Sequence, residues 1–550
     1  MKTLAAANSY LANGCLIDDY LCTLMTRRTR PKSRTASSQH IRKDIYKTSL
    51  SKPCYQTCTF KTARAAPHHL HRQKNYTAKK LHRQKITPTK KNAQEYLTMI
   101  RITGLAIPVL SLFLLLSAPA PASTRVPNPF IGAQGYIDPD YVRNVEASMS
   151  KTDPATREKM HVATNIPTAV WLDSIAAIDG SNGRRSTLEQ HLLYAVSQAQ
   201  ENTPVVLPVV VYNLPDRDCS AKASNGTLNG LAGLKIYRED FIDRIATLFA
   251  DKRFSDLRIV TILEPDSLPN LVTNKSVPDC QSAFENGIYT KGIAYALKRF
   301  SEVGNVYSYL DIGHSGWLGW DDNRNGAVKL YVDVIKSSGS LFNVHGVATN
   351  TSGYTPVEEF LLPDTDYKIG NMPIKAANFY QYNGFFDERD YANALKAQFS
   401  AAGMPAHFGV LIDTSRNGWG GKDRPTKARR KNNINQYVNS ARIDRRPARQ
   451  NWCNQNGAGV GERPTPNPFN DGVVHAFLWI KPPGESDGTS DSTQTTADAE
   501  GKRFDSDCDP QARTHSGNPT GAIDGAPAAG RWFHQHFEML VRNAYPPLSK

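Results

Sequence analysis

Two short segments place acidic side chains where they could do proton chemistry. Val211-Tyr212-Asn213-Leu214-Pro215-Asp216-Arg217-Asp218-Cys219 and Leu263-Glu264-Pro265-Asp266-Ser267-Leu268 each follow an apolar, β-branched run, Val205 to Val211 and Ile259 to Ile262. Each segment therefore presents a carboxylate just past the end of an expected buried strand. Two such carboxylates on neighbouring strand ends can flank one bond. One protonates the leaving oxygen while the other handles water or balances charge, as in glycoside hydrolysis. The acid must stay protonated near neutral pH, so its pKa must rise; a nearby like charge does this. Arg217 is expected to hold Asp218 ionised, which leaves the proton on Asp266. A helix N-cap or a loop hydrogen bond is the plainer use of any one such acid.

The elements that must carry these residues alternate. Strands are expected at Ala169–Leu172, Val205–Tyr212, Ile259–Leu263, Val306–Leu310, Val344–Ala348, Phe408–Ile412 and Ala476–Ile480. Helices are expected at Leu188–Ala199, Arg238–Ala250, Tyr289–Glu302 and Trp532–Asn543. Such alternation predicts a parallel sheet, closed or nearly closed, with its site at the C-terminal strand ends. Asp173, Asp218, Asp266, Asp311 with His314, Asn350, Asp413 and Lys481 all fall at or just past those ends. Two stretches, Asn417–Gly461 and Pro482–Gly530, have no convincing period and read as long functional loops.

The chain has 550 residues and a formal charge of +15. Roughly 20 Lys/Arg against about 4 Asp/Glu fall in residues 1–98, so the remainder is close to neutral. That basic stretch carries a near-repeat, Leu70-His71-Arg72-Gln73-Lys74 and Leu81-His82-Arg83-Gln84-Lys85, and few large apolar residues. It reads as an unstructured extension, or a mis-assigned start, in preference to a nucleic-acid-binding arm. Residues 99–122 read as a secretory signal peptide: Arg101, the apolar run Leu105–Leu116, then Ala118-Pro119-Ala120-Pro121-Ala122. The apolar run is short for a membrane span. A secreted protein without stable membrane association, starting near Ser123, is therefore expected. Residues 123–550 form one expected domain.

Of eight cysteines, only Cys219, Cys280, Cys453 and Cys508 lie in that domain. A sparse even set in an exported chain predicts two disulfides, with three pairings open on arithmetic. No C-x-x-C or neighbouring His pair accompanies them, so no metal is expected.

The two acidic segments resemble the signatures of glycoside hydrolase family 6. Further matches follow in order: Asp311-Ile312-Gly313-His314-Ser315-Gly316-Trp317-Leu318-Gly319-Trp320, Gly346-Val347-Ala348-Thr349-Asn350, Asn451-Trp452-Cys453-Asn454 and Trp479-Ile480-Lys481-Pro482-Pro483-Gly484-Glu485-Ser486-Asp487-Gly488. The resemblance covers roughly residues 126–546. It implies a distorted, seven-stranded parallel β/α barrel and cofactor-free, inverting hydrolysis of β-1,4-glucan. By position, Asp266 matches the general acid, Asp218 the carboxylate that tunes it, and Asp487 a third, often taken as the base. Tyr212 and Ser224 match residues beneath the distorted sugar and beside the water. Trp171, Trp317, Trp320 and Trp452 match sugar platforms; Asn350, Lys481 and Glu485 match sugar-binding residues. Arg217, Arg416 and His314 are expected in support. Cys219–Cys280 and Cys453–Cys508 match the family disulfides.

Asp413-Thr414-Ser415-Arg416-Asn417-Gly418-Trp419-Gly420-Gly421 is similar to the bacterial exo-acting branch. Gly418–Asn451 and Gly488–Gly530 are then expected to roof the cleft, so that cellobiose is released from non-reducing chain ends by a monomeric cellobiohydrolase. An endoglucanase of the same fold is the alternative. Cellulose and cello-oligosaccharides are the expected partners; nucleic acid is not.

Overall fold

The computed structural model describes residues 125–549, apart from 182, 184 and 515. The expected extension and signal segment lie outside the described residues. Seven strands run parallel: β1 Val170–Leu172, β2 Val205–Val211, β3 Arg258–Leu263, β4 Val306–Asp311, β5 Gly346–Thr349, β6 Gly409–Asp413 and β7 Val474–Leu478. Each pairs with the next in sequence order. All seven sit within a few residues of their expected positions. Gln134–Gly135 adds a short parallel partner beside the start of β2, and Thr465–Pro466 an antiparallel one beside β7.

The β-branched runs are apolar on both faces because both faces are buried. Val206, Val210, Val260, Ile262, Tyr307, Tyr309, Ala348, Leu411, Ala476 and Leu478 meet inside the curled sheet. The alternate residues, such as Val205, Leu207, Ile259, Leu263, Val306 and Leu310, pack against the outer helices. Gly409 is required inside: a Cβ there would stand 2.1 Å from Nε2 of His475, whose Nδ1 pairs with Tyr309 Oη at 2.7 Å.

The sheet curls but does not fully close. β1 and β7 share no ladder among the described residues. They meet where Ala169 N–H donates to Trp479 O (3.1 Å) and Trp171 Nε1 donates to Ile480 O (2.8 Å).

The expected helices are present with small boundary shifts, at Leu188–Gln198, Ile288–Ser301 and His534–Arg542. The one expected from Arg238 extends back to Gly230 and contains a π-helical turn, Tyr237–Ile242. Pro139–Met149, Pro154–Ala163, Asp321–Ser337 and Glu388–Ala401 are further helices that the apolar periodicity did not reveal. The first two open on Asp-Pro, with Asp138 and Asp153 accepting main-chain N–H groups of the first turn. No helix among the described residues is long and apolar enough to cross a membrane.

The two long loops hold little regular structure, a helix at Ile434–Ala441 and a 3₁₀ turn at Ser506–Cys508. A third insertion, between β5 and Glu388–Ala401, carries a small hairpin at Lys368–Ile369 and Met372–Pro373. Disulfides join Cys219 to Cys280 and Cys453 to Cys508, across 61 and 55 residues. The pairing is the one implied by the resemblance. Chain entropy assigns each about 4 kcal/mol. Replacing Cys453 and Cys508 by Ser should therefore lower unfolding free energy by up to about 4 kcal/mol, read from urea unfolding. It should also make Gly488–Gly530 an early site of proteolytic nicking.

Candidate active site

A cleft of about 570 Å³ lies at the C-terminal strand ends and is lined by Asp218, Asp266 and Asp487 together. Most of the expected residues join them: Trp171, Tyr212, Arg217, Ser224, His314, Trp317, Trp320, Trp452, Lys481 and Glu485. Arg416 lies behind Asp487 and is fully buried. Asn350 does not line the cleft. It is fully buried, and its amide is spent on main-chain groups: Nδ2 donates to Asp413 O (2.9 Å) and Thr355 O (3.2 Å), and Oδ1 accepts from Thr355 N (3.1 Å). Its expected contact with sugar gives way to a structural one.

The second acidic segment turns through two left-handed residues, Glu264 (φ 53°) and Asp266 (φ 62°). Glu264 points inward and accepts from Asn213 N, Leu214 N and Tyr237 Oη. Burial pushes its carboxyl up to about 7 despite these donors. It thereby locks the turn after β2 against the end of β3. Asp266 points into the cleft. Its main-chain N–H donates to Asp311 Oδ2 (3.0 Å), and its carbonyl accepts from Asn270 Nδ2 (2.7 Å). Asn270 Oδ1 in turn accepts from Ser220 Oγ (2.7 Å), which joins the two acidic turns.

The three carboxyls differ in what surrounds them. The Asp266 carboxyl accepts no hydrogen bond from the described residues. Burial, then the charges of Asp311, Asp218 and Asp487, push its pKa well above the ordinary value. Asp218 is also raised by burial, but Tyr212 Oη donates to its Oδ2 (2.7 Å), the Ser224 hydroxyl faces it, and the Arg217 charge offsets part of the rise. Asp487 is held below the ordinary range. Burial opposes ionisation there, but the Arg416 guanidinium and Lys481 outweigh it. Arg416 Nη1 lies 2.7 and 2.8 Å from its two oxygens, and Tyr354 Oη and Asn454 N also donate to Oδ2.

Arg217 forms no ion pair with Asp218 among the described residues, although its charge lowers the Asp218 pKa. It donates to the main-chain carbonyls of Asp173, Tyr212, Ser224 and Asn225, and its guanidinium lies 4.3 Å from the Tyr212 ring centroid. It therefore fixes the turn and acts on Asp218 only through space. His314 keeps Nδ1 buried without a partner among the described residues, and desolvation with Arg446 and Arg449 holds the ring neutral.

Several contributors have no strong sequence signal. Asp311 stood at a strand end, yet only the folded chain puts it against Asp266; burial raises its carboxyl to about 6. Lys502 comes from the irregular C-terminal loop. Its Nζ reaches Asp173 Oδ2 (2.8 Å) and Ala529 O (3.0 Å) across the cleft, while Arg185 Nη2 donates to Gly530 O (3.2 Å). Both long loops line the cavity, through Arg446, Arg449 and Gln450 on one side and Lys502, Ser516 and Gly530 on the other.

The tryptophans are held by their indole N–H groups. Trp317 donates to Thr273 Oγ1 (2.8 Å), Trp320 to Gln381 O (2.9 Å) and Trp452 to Asp507 Oδ2 (3.1 Å). Each ring is thus oriented from its edge and turns partly toward the cleft. Lys481 Nζ sits 4.8 Å from the Trp171 ring centroid and 3.3 Å from Glu485 Oε2, at the gap between β1 and β7.

Comparison with known proteins agrees with this geometry. Residues 130–544 match the model of glycosyl hydrolases family 6. Exoglucanase A of Cellulomonas fimi is 45% identical over 434 residues, which cover 77% of this chain and 49% of that protein. The chain thus spans about half the length of that relative. Exoglucanase 3 of Agaricus bisporus is 36% identical, over 76% of this chain and 80% of its own. Among solved structures, the catalytic domain of Cellulomonas fimi Cel6B superposes with a TM-score of 0.74 at 44% identity, covering 78% of this chain and 97% of that one. Cellobiohydrolase II of Humicola insolens, in complex with glucose and cellotetraose, does so at 0.60 and 32%, covering 76% and 99%. A parallel barrel opened between its first and last strands, an acidic cleft at the strand ends and a family match along almost the whole described chain converge: this protein belongs to glycosyl hydrolase family 6.

Proposed function

We propose that this protein is a secreted, inverting exo-β-1,4-glucanase that releases cellobiose from the non-reducing ends of cellulose chains. One observation carries the reading: three carboxyls share a cleft, and their surroundings assign the proton to Asp266. Asp266 is the general acid. Its carboxyl has no donor among the described residues to stabilise the anion and three negative neighbours to oppose it. Its proton passes to the glycosidic oxygen as the bond to the anomeric carbon breaks.

Asp218 is the better candidate for accepting a proton from water. A base works best with a pKa near the working pH; burial raises that of Asp218, whereas Arg416 and Lys481 hold that of Asp487 below the ordinary range. Ser224 and Tyr212 stand beside it to orient the water and the sugar. Asp487 is ion-paired with Arg416 and serves as a fixed negative charge opposite the positive charge that develops on the sugar ring. Trp171, Trp317, Trp320 and Trp452 give apolar ring faces to successive glucose units. Lys481 and Glu485 meet their hydroxyls.

The exo reading draws on the loops. Gly418–Asn451 and Gly488–Gly530 both reach the cavity. Asn451 Nδ2 donates to Thr520 O (2.8 Å) and Asn456 N to Gly521 O (2.8 Å), so the two loops are stitched together beside Cys453–Cys508. A fixed roof admits a chain by its end. The relatives named exoglucanase and cellobiohydrolase support the same choice. Export is supported by the two disulfides of the domain.

Cellobiose should dominate the soluble products from cellulose, with slow loss of viscosity on carboxymethylcellulose. Rapid cutting of that polymer to mid-length fragments would select the endoglucanase reading. Asp266→Ala should cost about 10²–10⁴-fold on unactivated glucans and much less on aryl glycosides with acidic leaving groups. Equal losses on both would remove Asp266 from the acid role. Asp311→Asn removes one of the charges that raise Asp266, so the acid should lose its proton at lower pH. The basic limb of the kcat/KM profile should move to lower pH, with the acidic limb, set by Asp218, nearly fixed.

A further inference from the structure

A second cavity, of about 400 Å³, adjoins the cleft. It shares Phe379, Gln381, Gln450 and Ser516 with the cleft wall. It lies where three segments meet: the insertion after β5, the helix Ile434–Ala441 with the chain that follows it, and the C-terminal loop. Its volume falls within the ~300–1,000 Å³ typical of ligand pockets.

Its chemistry is uniform. Among the described residues no charged side chain lines it, while Asn378, Gln381, Asn435, Asn439, Gln450 and Asn518 all do. An ionic ligand finds no counter-charge there. Carboxamides offer both donors and acceptors, which is what a neutral ligand bearing many hydroxyls requires. Some of these amides hold the wall: Asn435 Oδ1 accepts from Asn378 N (2.7 Å) and Asn439 Oδ1 accepts from Arg442 Nε (3.0 Å). The side-chain amides of Asn378, Gln381 and Gln450 have no hydrogen-bond partner among the described residues and are free for a ligand. Arg442 stacks at 3.9 Å from the Phe379 ring centroid and fixes that ring between the two cavities.

Position selects the ligand. Gln381 belongs to both walls, and its carbonyl anchors the Trp320 indole. A glucan crossing Trp320 away from Asp266 therefore arrives beside the free amides. We propose that this cavity is an outer carbohydrate site, which holds the part of a β-1,4-glucan chain lying beyond Trp320. The proposal rests on the glucanase reading for its ligand and not for its chemistry.

The test is the double variant Asn378→Ala/Asn518→Ala, which removes two side-chain amides without a hydrogen-bond partner among the described residues, neither lining the catalytic cleft. We measure kcat/KM on p-nitrophenyl β-cellobioside and on cello-oligosaccharides of increasing length. Loss of two or more neutral hydrogen bonds should lower kcat/KM on the longest oligosaccharides by about 3- to 10-fold, through KM. The aryl cellobioside, too short to reach the cavity, should be unchanged. Unchanged kinetics at every length, or an equal loss at every length, would overturn the proposal. If the intact protein cleaves none of these substrates, the glucanase reading fails instead. Saturation-transfer NMR with cellohexaose then decides the site alone: it stands if the double variant loses signal and falls if it does not.

Discussion

The rim of the barrel is held together by buried carboxylates that accept main-chain N–H groups. Glu264 takes two from the turn after β2. Asp311 takes those of Asp266 and Gly313, joining the turns after β3 and β4. Asp413 takes Ser352, Ser415, Ile480 and Lys481, joining the ends of β5, β6 and β7. Glu388 takes Ser315 N and the Thr349 hydroxyl. A turn that leaves a strand end has main-chain donors with no ladder partner, and these donors must be satisfied where water is absent. An acceptor-only carboxylate with two oxygens satisfies several at once and sets the turns in fixed relation.

That solution concentrates negative charge, and the site inherits it. In the proposed mechanism Asp266 keeps its proton because the neighbouring acids are already engaged. Asp218 has Tyr212 and Ser224, and Asp487 has Arg416, Tyr354 and Asn454. A buried ion pair such as Arg416–Asp487 gives little net stability, since desolvation of both charges opposes their attraction. Its effect is to keep one carboxylate ionised and still. The difference in protonation between Asp266 and Asp487 thus comes from which donors the surrounding loops bring.

The loops are irregular but not loose. Their main-chain groups find side-chain partners far along the chain, as Lys222 N does with Asp505 Oδ2 (2.8 Å) and Ile443 N with Glu359. One disulfide joins the two long loops, and the other fixes the turn behind Asp218. A long loop without regular structure pays a large ordering entropy. Cross-links and buried side-chain contacts offset it, and they leave the cleft walls fixed enough to hold tryptophan rings by single edge contacts.

Much of this was legible in the sequence. The β-branched runs gave all seven strands because strands buried on both faces must be apolar along their whole length. Their order gave the acidic strand ends, and ordered motifs gave Asp218, Asp266 and Asp487. Among the described helices of ten or more residues, four escaped because they are polar on average, although Asp138-Pro139 and Asp153-Pro154 marked two of the starts. Local sequence did not show that the Asn350 amide binds main-chain groups of Thr355 and Asp413, or that Arg217 is held by main-chain carbonyls. The tertiary structure alone decided that Asp311 backs Asp266, that Lys502 reaches Asp173, and that side-chain amides from three segments gather in one cavity beside Gln381. Sequence records which residues can ionise or donate; proximity between segments hundreds of residues apart, which sets how they do so, exists only after folding.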